Sequence, residues 1–336
     1  MRLSFIAAAI TASVTISSSL AAPLQERDTS TFVGYFVTHF LGNDEAIYQK
    51  VSNGNNAYSF SSLNNGNAVL RSNVGTKGAR DPYLVVSPDR KDYWTIATDL
   101  QIGTTTWADS LARGSKSIVI WHSTNLVDWE SSYLTQLEIS TAGMVWAPSA
   151  VWDPSTEQYY VFWSSQFYAE NDTDHTGNAT SKPIIRYATT KDFKSFSEPQ
   201  DYAKGDNQLR LDQEFQLIDG DKTFARFMCD DSHIFQEISY DGLFGNWQRI
   251  NGVDGHINDE LREGAASFRD NQDPNKFHLW LDNYTGDGYE AYATNDIFKG
   301  DYPHDTVDGF PSGMRHGSVT PITQTEYDTI RARLGN

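Results

Sequence analysis

Trp121-His-Ser-Thr-Asn-Leu-Val-Asp-Trp129 reads as the end of a strand, a Ser/Thr pair, a short turn carrying Asn and Asp, and a closing aromatic. The same order returns as Val51-Ser-Asn-Gly-Asn-Asn-Ala-Tyr-Ser-Phe60, Tyr187-Ala-Thr-Thr-Lys-Asp-Phe-Lys-Ser-Phe196 and Ile238-Ser-Tyr-Asp-Gly-Leu-Phe-Gly-Asn-Trp247. A degenerate copy is Tyr292-Ala-Thr-Asn-Asp-Ile-Phe298. Before four of the copies stands a turn and an aromatic strand: Asp92-Tyr-Trp-Thr-Ile-Ala97, Gln158-Tyr-Tyr-Val-Phe-Trp163, Lys222-Thr-Phe-Ala-Arg-Phe227 and Lys276-Phe-His-Leu-Trp-Leu281. The repeat length is roughly 50 to 70 residues, room for one four-stranded sheet with its loops. A single twisted sheet of that size leaves an apolar face in water, and packing sheets radially buries it. Five copies predict an all-β chain folded as a five-bladed β-propeller, with a β-sandwich as the alternative. Only Glu326–Leu334 has a helical pattern.

The length would fit one large domain or two ordinary ones, and the repeats point to a single propeller catalytic domain over residues 23–336. Ahead of it, Arg2, the apolar run Leu3–Val14 and the small residues around Ala21 and Ala22 make the pattern of a secretory signal peptide over residues 1–22. Secretion to the extracellular space is therefore expected. No later segment has 18 consecutive apolar residues, so no membrane-spanning helix is expected. The net charge is −18, which argues against nucleic acid and anionic membranes and suits a neutral partner such as a polysaccharide. Cys229 is the only cysteine, so no internal disulfide is possible and the core must rest on ordinary burial. The apolar alternation around Cys229 predicts a buried thiol. Asn171, Asn178 and Asn283 open N-glycosylation sequons, which would be surface acceptors in a secreted protein. A monomer is expected.

A propeller gathers the first residues of its innermost strands at one mouth of the central channel. Unusual residues at those places are candidates for function. The first such strand opens Gly78-Ala-Arg-Asp-Pro-Tyr-Leu84, and proline after Asp81 predicts an extended backbone for this acid at the head of an apolar strand. The second opens Met144-Val-Trp-Ala-Pro-Ser149, where Trp146 can present an indole face to a sugar ring. The third opens Leu209-Arg-Leu-Asp-Gln-Glu214, and Asp212 and Glu214, two apart, share a strand face, so either can be the functional acid. The fourth opens Leu261-Arg-Glu-Gly-Ala-Ala-Ser267, where small residues leave room for a partly buried, protonated Glu263. Arg315 and His316, beside Gly317, are placed to reach the channel, and Arg226 and Asn283 are further candidates for substrate binding. Acids at the heads of three separate blades fit glycoside hydrolysis, which needs one carboxyl to protonate the leaving oxygen and another to activate water or attack the sugar. The competing readings are a carbohydrate-binding propeller without turnover and a secreted interaction protein.

On these motifs the chain resembles glycoside hydrolase family 43 from about Phe32 to Tyr327. The likeness rests on Arg80-Asp81-Pro82, Tyr93-Trp-Thr-Ile-Ala-Thr-Asp99, Gly114-Ser-Lys-Ser-Ile-Val-Ile-Trp121 with Trp129, and Trp146-Ala-Pro148. Leu211-Asp212, Arg262-Glu263-Gly264, Leu281-Asp-Asn-Tyr284 and Arg315-His-Gly317 complete it. The resemblance implies an inverting mechanism with Asp81 as general base, Asp212 as orienter and pKa modulator, and Glu263 as general acid. It implies no required cofactor, with a Ca2+ ion in the central channel held through water near His316. The expected substrate is a plant cell-wall polysaccharide or oligosaccharide with α-L-arabinofuranosyl linkages, β-D-xylosyl and β-D-galactofuranosyl being the competitors. Serine after Trp146-Ala-Pro148, where many relatives carry an acid, leaves the sugar open. The fructan-cleaving propellers also carry Arg-Asp-Pro, but their Asn-Asp-Pro motif is missing, since Asn43-Asp44 is followed by Glu45.

Overall fold

The computed structural model describes residues 31–205, 208–250 and 255–335. The expected leader over residues 1–22 lies outside them. The described chain is a five-bladed β-propeller. Blade I is β4 (Arg80–Val86), β5 (Tyr93–Thr98), β6 (Ser117–Ser123) and β7 (Tyr133–Gln136), with α1 (Trp107–Arg113) inserted between β5 and β6. Blade II is β8 (Trp146–Asp153), β9 (Gln158–Ser165), β10 (Ile184–Thr190) and β11 (Gln200–Ala203). Blade III is β12 (Leu211–Asp219), β13 (Thr223–Asp230), β14 (His233–Ser239) and β15 (Trp247–Arg249). Blade IV has β16 (Glu263–Arg269), β17 (Phe277–Asn283) and β18 (Gly288–Thr294), and the single bridge Tyr292–His304 stands where a fourth strand would run.

Blade V is assembled from both ends of the described chain. Its innermost strand is β19 (Arg315–Thr323), and outside it lie β1 (Phe32–Leu41), β2 (Asp44–Ser52) and β3 (Phe60–Ser62). The first copy of the sequence repeat, Val51–Phe60, therefore belongs to the blade that closes the ring. The C-terminal helix α2 (Gln324–Leu334) starts two residues before the predicted Glu326, because Thr323 and Glu326 form a capping box.

The four aromatic strands are the second strands of blades I to IV, and they are apolar at successive positions because both faces are covered. On β9, Tyr159, Val161 and Trp163 pack with Val85, Trp94, Ile96, Ile118 and Ile120 of blade I, whereas Phe162 packs with Phe215, Phe224 and Phe235 of blade III. On β17, Leu279 and Leu281 face blade III and Trp280 faces Tyr35 and Val37 of blade V. Blade V meets blade I through Phe36, Val51, Leu84 and Tyr93. Among the described residues, five sheets thus make five apolar seams, one between each pair of neighbouring blades. Cys229 on β13 is buried in one of them, and burial pushes its thiol well above the usual range.

The repeat itself is a turn with defined chemistry. Ser123 Oγ accepts from the N–H groups of Asn125 and Leu126, and Thr190 Oγ1 accepts from that of Phe193. Leu126 and Phe193 then take φ of 67° and 57° and sink fully into the core. The closing aromatic ties the turn shut: Trp129 Nε1 donates to Leu126 O and Trp247 Nε1 to Leu243 O.

Candidate active site at the channel mouth

Each innermost strand has the same irregularity at its head. Register with the second strand jumps from Arg80–Thr98 to Tyr83–Ile96, from Trp146–Ser164 to Ser149–Phe162, from Leu211–Cys229 to Glu214–Phe227 and from Glu263–Asp282 to Ala266–Trp280. In blade V it jumps between Phe40–Arg315 and Thr38–Ser318. Each is a β-bulge that leaves its second residue outside the ladder. Those second residues are Asp81, Ala147, Asp212, Gly264 and His316. Asp81, Ala147 and Asp212 have φ of 50°, 49° and 56° without being glycine, a strain worth about 1–3 kcal/mol each, so the bulge overrides the extended backbone expected of Asp81 before Pro82. The bulges re-aim these side chains, and three of them meet: His316 Nδ1 lies 3.6 Å from Asp81 Oδ1 and 4.0 Å from Asp212 Oδ2.

Neighbouring blades hold the two aspartates. Thr98 Oγ1 donates to Asp81 Oδ2 at 2.8 Å and accepts from Ala147 N at 2.7 Å, so one hydroxyl joins blades I and II. Asp212 Oδ2 accepts from Gly264 N at 3.1 Å, which ties blade III to the residue after Glu263. Burial raises the Asp212 carboxyl above its ordinary range, His316 opposing and Asp81 adding to the shift.

Glu263 is the first residue of β16. Its carboxyl is pushed up to about 8, first by burial and then by the negative charges of Asp212, Asp282 and Asp81. Its side chain nevertheless keeps 36 % exposure, so it is walled in by protein yet open toward the mouth. Arg315 donates to Glu263 Oε1 at 3.1 Å and, through Nε, to both oxygens of Asp282 at 2.9 and 2.8 Å. Asp282 is fully buried and also accepts from His316 N at 2.9 Å. It fixes the backbone of His316 and the position of Arg315 together.

The structure therefore brings Asp81, Asp212, Glu263, Arg315 and His316 to one place. Trp146 heads β8 on the same rim, its indole edge-on to Trp107 at 6.1 Å. Asn283 is one residue past Asp282, outside the carboxyl cluster, with its amide donating to Glu290 Oε1 at 2.9 Å. Arg226 does not join the group. It sits midway along β13, pairs with Glu237 and lies 4.3 Å from the Trp247 ring, so its charge and flat face are both used within blade III. Among the described residues no group of three or more His, Cys, Asp or Glu is disposed to hold a metal ion. For the Ca2+ expected near His316, which would be held through water, the described residues thus offer no direct donor set.

Glu214 has a different place from Asp212. It is buried two residues deeper, and its Oε1 accepts from Ser267 N at 3.4 Å. Ser318 does the same for blade I, accepting from Leu84 N at 2.9 Å. Both are fourth residues of an inner strand and both hold the fifth residue of the next. Glu214 is a clamp on β16, and burial lifts its carboxyl to about 8. A carboxyl raised on folding favours the native state most below about pH 4.5, and that advantage is lost as pH rises through about 8. Glu214→Gln keeps the acceptor and removes the titration. Its unfolding free energy is expected to match wild type near pH 4 and to exceed it at pH 8–9 by on the order of a few kcal/mol, seen as a higher melting temperature there. Parallel melting curves from pH 4 to 9 would refute this.

Sequence reasoning did not single out Asp282 and Thr98. Asp282 carried a signal, a carboxylate ending the apolar run Phe277-His-Leu-Trp-Leu281, where only a buried partner makes it tolerable. Thr98 carried none, since its role exists only across two blades.

A family described as "Probable glycosyl hydrolase domain", related to glycosyl hydrolase family 43, matches residues 30–328. An alpha-L-arabinofuranosidase of Bifidobacterium longum subsp. longum is 33 % identical over 177 residues, covering 49 % of this chain and 16 % of that protein. The match thus spans about a sixth of the relative's length. Among solved structures, a thermostable family-43 glycoside hydrolase is 17 % identical with a TM-score of 0.49, over 74 % of this chain and 82 % of that one. The catalytic domain of a GH62 alpha-L-arabinofuranosidase of Coprinopsis cinerea is 15 % identical with a TM-score of 0.47, over 70 % of each chain.

Proposed function

The chain belongs to the family of probable glycosyl hydrolase domains related to family 43, and from that premise we propose that it is a secreted, inverting glycosidase releasing α-L-arabinofuranosyl units from plant cell-wall polysaccharide. The observation that carries the reading is a buried, proton-retaining carboxyl that shares one mouth with a second carboxyl on another blade. Glu263, lifted to about 8, keeps its proton at neutral pH and faces the opening. Asp81, held by the Thr98 hydroxyl and 3.6 Å from His316 Nδ1, is the second carboxyl of the mouth and serves in this reading as the proton acceptor. In this scheme a water beside Asp81 gives up a proton as it attacks the anomeric carbon. The glycosidic bond breaks, and its oxygen takes the proton of Glu263. Inversion needs the two carboxyls about 6.5–9.5 Å apart, so that water fits between base and sugar. Asp212, bonded to Gly264 N, orients the strand of the acid and adds negative charge that keeps Glu263 protonated. The arabinofuranosyl preference is supported by the similarity to the alpha-L-arabinofuranosidase of Bifidobacterium longum.

The test is a panel of chromogenic α-L-arabinofuranoside, β-D-xyloside and β-D-galactofuranoside, with arabinan and xylan alongside, and the product anomer followed by NMR. Turnover of the arabinofuranoside with an inverted product is expected. Turnover of another glycoside moves the sugar assignment, a retained anomer removes the inverting scheme, and no turnover of any glycoside or polymer leaves a binding propeller.

A further inference from the structure

Trp107 is the most exposed large apolar side chain among the described residues, at 55 %. It begins α1, the insertion between β5 and β6, and buries no seam of the ring. Its surroundings are specific all the same. The guanidinium of Arg80, itself buried at the head of β4, lies 5.2 Å from the Trp107 ring and 4.4 Å from that of Phe40. The edge contact with Trp146 sets the two indoles at 82°. The ring is thus propped by a cation and by a second indole, with much of its surface open at the rim of the channel.

Its helix is also braced. Thr106 caps the first turn, accepting from Asp109 N at 3.1 Å. At the other end, Arg113 donates to the carbonyl of His175 at 3.1 Å, and His175 Nδ1 lies 2.7 Å from Ala112 O. Gly114 N donates to Gly143 O at 2.7 Å. Blade II thereby holds an insertion of blade I, and the indole is fixed before any ligand arrives. A large flat group ordered in advance binds with little loss of side-chain freedom, and it adjoins the cleft that holds the carboxyls.

We propose that Trp107 is a binding residue for a sugar unit of the substrate chain other than the one whose bond is cleaved. The mouth between blades I and II is then an outer subsite for a neutral carbohydrate chain. The inference rests on the glycosidase reading above. Trp107 stands on an insertion outside the strand heads that carry the acids, so a single sugar over Glu263 leaves its open face unfilled, whereas a chain leaving the mouth on this side covers it. The apolar face of a sugar ring against an indole, with the ring's hydroxyls in water, is the contact such a platform makes.

The test compares wild type, Trp107→Ala and Trp107→Tyr on the chromogenic monoglycoside that the panel identifies and on matching oligosaccharides of two to six units. Trp107→Ala is expected to raise KM for the longer oligosaccharides about 3- to 10-fold, the size of one lost aromatic contact. The ratio of kcat/KM on oligosaccharide to that on monoglycoside falls with it, and Trp107→Tyr restores most of that ratio. An unchanged ratio overturns the proposal, and so do equal losses on both substrate types. Without wild-type turnover on any substrate the glycosidase reading itself fails. The subsite is then decided by calorimetry with the same oligosaccharides: a several-fold weaker Kd in Trp107→Ala supports it, and equal Kd values overturn it.

Discussion

Glu263→Gln is expected to lower kcat on polysaccharide by about 10²–10⁴-fold with the melting temperature little changed. Glutamine fills the same space and can still accept from Arg315, but it has no proton to give. The loss should depend on the leaving group. A nitrophenolate departs without protonation, so the deficit on a nitrophenyl glycoside should be far smaller than on a sugar leaving group. The pH profile supplies the second signature. Because the Glu263 carboxyl titrates near 8, wild-type kcat/KM is expected to hold up to about pH 8 and to fall above it. That alkaline limb should vanish in the variant. A variant with equal deficits on both leaving groups and an intact alkaline limb would remove Glu263 from the role of acid.

Asp81→Asn is expected to cost a similar 10²–10⁴-fold, but with the same deficit whatever the leaving group, since the step it damages is the attack of water. Asparagine keeps an oxygen for the Thr98 hydroxyl, so the link between blades I and II survives. Azide, a nucleophile that needs no base, should restore turnover and yield a glycosyl azide of inverted configuration. Asp212→Asn should respond differently. It leaves the base in place, weakens the tie to Gly264 and lowers the Glu263 carboxyl by removing a negative neighbour, so its alkaline limb should move to lower pH without azide rescue. Rescue of Asp212→Asn and not of Asp81→Asn would exchange the two roles.

The parts of this fold written in local chemistry could be read from the sequence. Ser123, Asn125, Leu126 and Trp129 build a turn by themselves, and four other stretches repeat the formula closely enough to be counted. Asp81, Asp212, Glu263, Arg315 and His316 could be found because a strand head is a place in the sequence as well as in space. Contacts between blades could not be read. Nothing in residues 51–60 says that they join a strand more than 250 residues away, nothing in Thr98 announces the N–H of Ala147, and Glu214 differs from Asp212 only by one step deeper into the channel. The misplacement of Arg226 has the same cause. An arginine in an aromatic strand looks exceptional until Glu237 and Trp247, on the two strands outside it, are seen to use it.

The way the ring closes has a consequence for synthesis. β1 waits unpaired on its inner edge until β19 is made, and β19 carries Arg315 and His316. A growing chain can form the seams between blades I to IV as each leaves the ribosome, yet none of these early species can hold Asp282 in check or place an imidazole between the two aspartates. On the glycosidase reading proposed above, hydrolytic competence would arrive in one step with topological closure. The strand that locks the ring is thus also the one that completes the cluster of carboxyls and imidazole at the mouth.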